Sequence, residues 1–174
     1  MQERTNGGAQ PADGPHDVGE RAVRDVMSVA LVTLAEDESV LMAWEILQRT
    51  GFHHLPVVDE SGHCLGLVER SDLAVACAMP AAVLGERDVG SLVAEQGPVL
   101  VRAEDPVSRA AEVMTDAGVD AAAVVGVSEE FVGLVTARDL VSLLAGRSRR
   151  RVSPAGSGPL VFSLEPVLPY PFDE

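Results

Sequence analysis

Two short stretches place a carboxylate four residues after the last residue of an apolar run: Thr136-Ala137-Arg138-Asp139 within GLVTARDL and Glu69-Arg70-Ser71-Asp72 within GLVERSDL. A Thr-x-x-Asp pair at a helix start has two uses. Its side chains can close a capping box, each satisfying a free N–H of the first turn. The same carboxylate can accept two hydrogen bonds from a ribose cis-diol, with Thr136 and the exposed amides holding the ligand at the helix N-terminus. Arg138, between the two, can counter a phosphate through charge-assisted contacts or stand as an exposed helix arginine. The earlier stretch departs from this pattern. Glu69 replaces the threonine and adds negative charge beside Asp72, where a polyanion would sit, with Arg70 as the available counter-charge. One competent corner is therefore expected, at Asp139, with Asp72 the weaker of the pair.

Other reactive side chains form no further constellation. His53 and His54 are adjacent before the apolar run LPVV, so in a strand at most one of them faces a given side. A metal set drawn from His53, His54, Asp59 and His63 matches no known ligand spacing, and no metal is expected. Cys64 and Cys77 lie in no CxxC pattern and read as buried free thiols of a reducing compartment. No serine or threonine has a histidine placed to make a triad, and both the P-loop and the GxGxxG fingerprint are absent. An activity with turnover is not expected.

The elements that position these groups follow from periodicity. Arg21 to Met27 reads as a helical lead-in, and Leu31 to Leu34 as a strand. After Asp37, Glu38 or Ser39 as cap, a helix carries Val40, Ala43, Trp44 and Leu47 on one face and stops at Gly51. Leu55 to Val58 and Cys64 to Val68 form a hairpin about the turn at residues 59–62, and a second helix follows from Arg70 to Cys77. A shift of 67 residues repeats the order: residues 30–73 and 97–140 match at 13 of 44 positions without a gap. Chance would give roughly one match in fifteen. Only Val89 to Gly97, which leads into the second copy, needs a one-residue adjustment. Neither copy can close its own sheet, so the two are expected to pack about a pseudo-twofold axis.

The repeat is GFHHLPVVDESGHCLGLVERSDL in the first copy and closes with GLVTARDL in the second. It resembles a tandem pair of CBS (cystathionine-β-synthase) domains, the Bateman module, over about residues 21–145. The resemblance implies an α/β (α+β) fold of two βαββα repeats. Residues 21–78 would be the first repeat, 79–96 a connector and 97–145 the second. It further implies a ribose contact at Asp139 supported by Thr136, and a basic residue among His53 and His54 near ligand phosphates. The first strand of the other copy would complete the cleft, with Val32 and Thr33 as adenine contacts. The ligands it implies are AMP, ADP, ATP or S-adenosylmethionine, acting as regulators rather than as required cofactors. The expected assembly is a homodimer that signals to a separate regulated protein. A constitutive protein-interaction module that binds no nucleotide is the rival reading, and Glu69 favours it.

Composition bounds the rest. The chain has 174 residues, 47% of them apolar and 3% aromatic, so its core is aliphatic. A formal charge of −14 disfavours nucleic acid and anionic membrane as partners. No apolar stretch is long enough to span a bilayer and the N-terminus lacks a secretory leader, so a cytoplasmic location is expected. Residues 1–20, rich in Gly and Pro, are expected to be disordered, and residues 146–174 extended or disordered. Within that tail, Arg147, Arg149, Arg150 and Arg151 suit the C-terminal end of the preceding helix. Leu160 to Phe172 offers a docking peptide as an alternative to a disordered tail.

Overall fold

A computed structural model describes residues 18–29, 32–76, 86–147 and 160–161. The first repeat comprises β1 (Val32–Ala35), α1 (Val40–Thr50), β2 (His54–Val58), β3 (Cys64–Glu69) and α2 (Arg70–Ala76). A short helix α3 (Val89–Val93) then leads into the second repeat. That repeat comprises β4 (Leu100–Arg102), α4 (Val107–Ala117), β5 (Ala121–Val125), β6 (Phe131–Thr136) and α5 (Ala137–Leu144). In both repeats the first strand runs parallel to the second, and the second is antiparallel to the third. The hairpin register slips at Val57/Val58 and again at Val124/Val125, positions related by the 67-residue shift. The mixed α+β architecture and its internal duplication agree with the sequence reading.

Local chemistry explains the helix limits. The Ser39 hydroxyl accepts from the Met42 N–H at 3.2 Å and caps α1. Gly51 and Gly118 end α1 and α4 in the left-handed region, at φ 71° and 68°, where only glycine is unstrained. The buried face of α1 (Val40, Ala43, Ile46 and Leu47) meets Leu34, Leu55, Val57 and Val68 of the sheet.

Each lead-in docks on the other repeat. Val23, in a 3-10 turn at Val23–Asp25, is fully buried with Val101, Ala110, Met114, Ala122, Val124 and Val135 of the second repeat. Val89 and Val93 of α3 are buried in the core of the first. The backbone repeats this exchange: the Val23 N–H donates to Asp105 O and Val107 N–H to Arg21 O, while Val89 N–H donates to Glu38 O and Val40 N–H to Arg87 O, all at 2.8 Å. The first-copy mates sit one residue out of the 67-residue register, the adjustment the sequence required. Fully burying a valine contributes about 1.5–3 kcal/mol, so each repeat is stabilised by a segment preceding its partner.

A third apolar cluster joins the repeats directly, through Val58 and Cys64 on one side and Ala123 and Phe131 on the other. Burial there pushes the Cys64 thiol up to about 11 from its ordinary 9.0. A thiol that ionises later in the folded than in the unfolded chain contributes stability in full below pH 9, and that contribution is lost as the pH rises towards 11. We expect denaturation midpoints of a Cys77→Ser variant to fall across this interval and those of the Cys64→Ala, Cys77→Ser double variant to fall less. Ellman's reagent should reach Cys64 only on unfolding.

One element was not foreseen. Leu160–Val161 form a strand, β7, parallel to the outer edge of β1, with Val32 opposite Leu160 and Thr33 opposite Val161. The first sheet thus has the order β3-β2-β1-β7, against β4-β5-β6 in the second. The sequence reads the tail as extended or disordered, with Leu160 to Phe172 as a docking peptide in the alternative, and names no strand there. The edge of β1 supplies unpaired backbone groups that any extended apolar dipeptide can satisfy. The expected disorder of residues 1–17, the remainder of the tail, and Ala30, Leu31 and Cys77 fall outside the described residues.

Candidate functional site

The corner at Asp139 is built where β6 turns into α5. Thr136 is the last residue of the strand and the N-cap of the helix. Its hydroxyl accepts from the Asp139 N–H at 3.3 Å, and Asp139 Oδ2 accepts from the Thr136 N–H at 3.0 Å and from its hydroxyl at 2.7 Å. The Ala137 N–H donates to Asp120 O at 2.7 Å, anchoring the turn to the start of β5. Asp139 is 4% exposed. The capping box is thus real, and it holds a carboxylate in place at the positive end of a helix. An ionised carboxylate has about four acceptor positions, so serving as a cap and receiving a diol are compatible.

The first-repeat corner keeps half of this arrangement. Asp72 Oδ2 accepts from the Glu69 N–H at 2.9 Å, but no hydroxyl stands at Glu69 to return the bond. Ser71 instead donates to Glu69 Oε2 at 3.2 Å. Arg70 does not face a ligand position. Its Nη2 donates to Leu47 O at 2.8 Å and to Phe52 O at 3.3 Å, closing the C-terminal end of α1, where a cation suits the helix dipole. The expectation that Arg70 offsets the charge of Glu69 and Asp72 is corrected by this geometry. Arg138 is exposed in the first turn of α5.

The two histidines separate as strand alternation requires. His53 is exposed, whereas His54 is half-buried and reaches across the repeat boundary to Asp120 Oδ1 at 2.8 Å, with Glu69 Oε1 at 3.9 Å. Asp59 and His63 pair with each other inside the first hairpin at 3.2 Å. Hydrogen bonds from the His63 and Ser61 backbone N–H groups reach the same carboxylate, and the His63 N–H bond is the chief cause that lowers the Asp59 carboxyl below its usual range. The four-residue set His53, His54, Asp59 and His63 is therefore split between two places.

Asp139 borders a cavity of about 10 Å³ whose other walls are Arg21, Asp25, Val26, Ser142, Leu143 and Arg147, room for about one water. Val32 and Thr33 are not among its walls; they lie in β1 beside β7. Thr33 is fully buried, and its hydroxyl has no hydrogen-bond partner among the described residues. Sequence reasoning missed Arg21 and Arg147 as neighbours of Asp139. Arg147 was read only as a charge suiting a helix end, and Arg21 only as the start of the lead-in. Their meeting depends on the exchange of lead-ins, which no local pattern reports.

Duplicated βαββα units, exchanged lead-ins and a capped carboxylate at the end of the third strand define a tandem α+β repeat module. The CBS domain profile matches residues 23–78 and 89–146, and the chain belongs to the CBS domain family as a tandem pair. A CBS domain-containing protein of Dictyostelium discoideum is 30% identical over 131 residues, covering 70% of this chain and 90% of that one. The L-aspartate semialdehyde sulfurtransferase of Methanocaldococcus jannaschii is 27% identical over 125 residues. This match takes in 72% of the present chain but only 23% of the enzyme, so the chain spans about a quarter of that relative. Among solved structures, a CBS domain pair in complex with 5′-methylthioadenosine and S-adenosyl-L-methionine superimposes with a TM-score of 0.58 at 26% identity, covering 73% of this chain and 98% of that one. No helix among the described residues is long and apolar enough to cross a membrane.

Proposed function

We propose that this chain is a regulatory CBS pair that binds an adenine nucleotide or an adenosyl compound at the Asp139 corner and reports occupancy to a partner protein. The observation that carries the reading is the buried, capped Asp139 at the start of α5, with the guanidinium-bearing Arg21 and Arg147 on the walls beside it. The carboxylate suits a ribose diol, and the arginines suit a phosphate or carboxylate end. Thr136 holds the carboxylate, and the exposed Arg138, one residue before Asp139, adds positive charge. The similarity to a pair that binds methylthioadenosine and S-adenosylmethionine supports the adenosyl class. Thr33, with its buried hydroxyl, and Val32 remain the proposed adenine contacts, reached when β1 is uncovered. His54, committed to Asp120, and Asp72, beside Glu69, are weaker members of the proposed set, as is the exposed His53. Ligand binding and coupling need no reaction chemistry, so no turnover is proposed.

The rival is a constitutive interaction module, favoured by the water-sized cavity: a nucleotide enters only if the lead-in and α5 part. Isothermal titration of nucleotide-stripped protein with AMP, ADP, ATP and S-adenosylmethionine separates the two. Saturable binding by any one of them supports the sensor, and silence from all four sinks it for these compounds.

The proposed assembly is a homodimer. Val141 and Leu144, three apart on one face of α5, are 64% and 70% exposed, and a second copy would cover them. Leu144→Glu is expected to shift sedimentation from dimer towards monomer without changing the circular dichroism spectrum. An unchanged dimer would place the interface elsewhere.

A further inference from the structure

We propose that His54, Glu69 and Asp120 form an inter-repeat binding site for a divalent transition metal of the zinc type. Their donor atoms come together within 4.8 Å of one another from three separate elements: the start of β2, the end of β3 and the residue preceding β5. His54 Nε2 stands 2.8 Å from Asp120 Oδ1 and 3.9 Å from Glu69 Oε1. Ligands about 2.0–2.1 Å from a tetrahedral zinc are separated by roughly 3.3 Å, so these spacings bracket the required one. Small side-chain adjustments suffice. Asp120 is exposed enough to make them, while the His54 side chain is only 9% exposed and sets the position.

Three further features separate this cluster from a chance meeting of surface acids. The first is charge: one neutral imidazole and two carboxylates balance a dication, and this ligand mix suits zinc. The second is outer support. Ser71 donates to Glu69 Oε2, which orients the other oxygen, Oε1, towards His54 in the manner of a partner behind a metal ligand. The backbones on either side are also tied, by Arg70 N–H to His53 O at 3.3 Å and by Ala137 N–H to Asp120 O at 2.7 Å. Of the three ligands, Glu69 also lines an inter-repeat cavity of about 30 Å³.

The third feature is the internal duplication. Under the 67-residue shift, His54, Glu69 and Asp120 correspond to Ala121, Thr136 and His53. That set offers one imidazole, a hydroxyl and a methyl, and cannot bind a cation in this way. The full set of an imidazole and two carboxylates therefore occurs on one side of the pseudo-twofold axis, and the mates keep only the imidazole of His53. The same Glu69 that spoils the first corner for a polyanion supplies a metal ligand there. A bound metal would tie β2 and β3 of the first repeat to the approach to β5 of the second, restraining the angle between repeats.

The test uses the full chain freed of metal by chelation and dialysis, titrated with Zn²⁺ and, for spectroscopy, with Co²⁺. We expect one equivalent of Zn²⁺ to bind, and Co²⁺ to give tetrahedral visible absorption without a thiolate charge-transfer band. Glu69→Thr and Asp120→Ala are expected to weaken Zn²⁺ binding by more than about tenfold. Asp139→Asn, at the other corner, should leave it unchanged. Glu69→Thr installs the residue that the second repeat already uses, and an unchanged circular dichroism spectrum separates loss of binding from unfolding. Absence of stoichiometric binding, binding insensitive to both substitutions, or a thiolate band would each overturn the assignment.

Discussion

Asp139→Asn is expected to weaken adenosyl-ligand binding by at least about 100-fold while the protein stays folded. Two charge-assisted hydrogen bonds to a diol are together worth about 3 kcal/mol or more, and each 1.4 kcal/mol is a factor of ten in Kd. The asparagine retains one carbonyl oxygen that can still accept from Thr136, so the helix start survives, but its amide is neutral and presents a donor where the diol needs an acceptor. Asp139→Ala removes both roles. It leaves the Thr136 N–H and hydroxyl, now bonded to Asp139 Oδ2, without their acceptor, and should cost about 1–3 kcal/mol of stability. Asp72→Ala loses only the bond from the Glu69 N–H and should cost less, with little effect on ligand affinity. Calorimetric titration and urea denaturation of the three variants check this. If the Asn variant binds as tightly as wild type, Asp139 is a cap and nothing more, and the ligand is held elsewhere in the module.

Legibility from the sequence followed the range of the interaction. The first-repeat hairpin, the glycine stop at Gly51 and the Thr136–Asp139 box depend on residues within a few positions of one another, and all appear as read. The duplication was legible because two copies of one pattern can be compared residue by residue. What could not be read was set by contacts between elements far apart in sequence. Arg70 looks like a counter-charge beside Glu69 in the sequence, yet it spends its donors on Leu47 O and Phe52 O, carbonyls whose nearness depends on how α1 packs over the sheet. His54 meets Asp120, 66 residues away, only because the two sheets face each other. The approach of Arg21 and Arg147 to Asp139 requires the exchanged lead-ins. β7 depends on an exposed edge of β1, and no pattern in residues 160–161 names the edge they choose.

Gly133→Ala is expected to be among the most destabilising single substitutions in the chain, because of what those lead-ins do. A Cβ at Gly133 would lie 2.8 Å from Ser28 O and 2.9 Å from Met27 Sδ. The carbonyl cannot retreat cheaply: Ser28 O accepts from the Leu134 N–H at 3.0 Å, and the Ser28 N–H donates to Leu134 O at 2.8 Å. Its mate, Gly66, meets Val93 Cβ at 2.6 Å, a clash with a side chain on α3 rather than with a strand-paired backbone. Overpacking typically costs about 1–3 kcal/mol. We place Gly133→Ala at the top of that range, since relief there means breaking two hydrogen bonds, and Gly66→Ala lower, since a shift of α3 can absorb part of the strain. Because Asp25 and Val26, just before that clash, form walls beside Asp139, the lead-in displaced by Gly133→Ala should also alter ligand affinity, whereas Gly66→Ala should not. Chemical denaturation read alongside ligand titration distinguishes the cases. Equal destabilisation of the two variants with unchanged affinity would show that the lead-in is a passive part of the core and has no hold on the site.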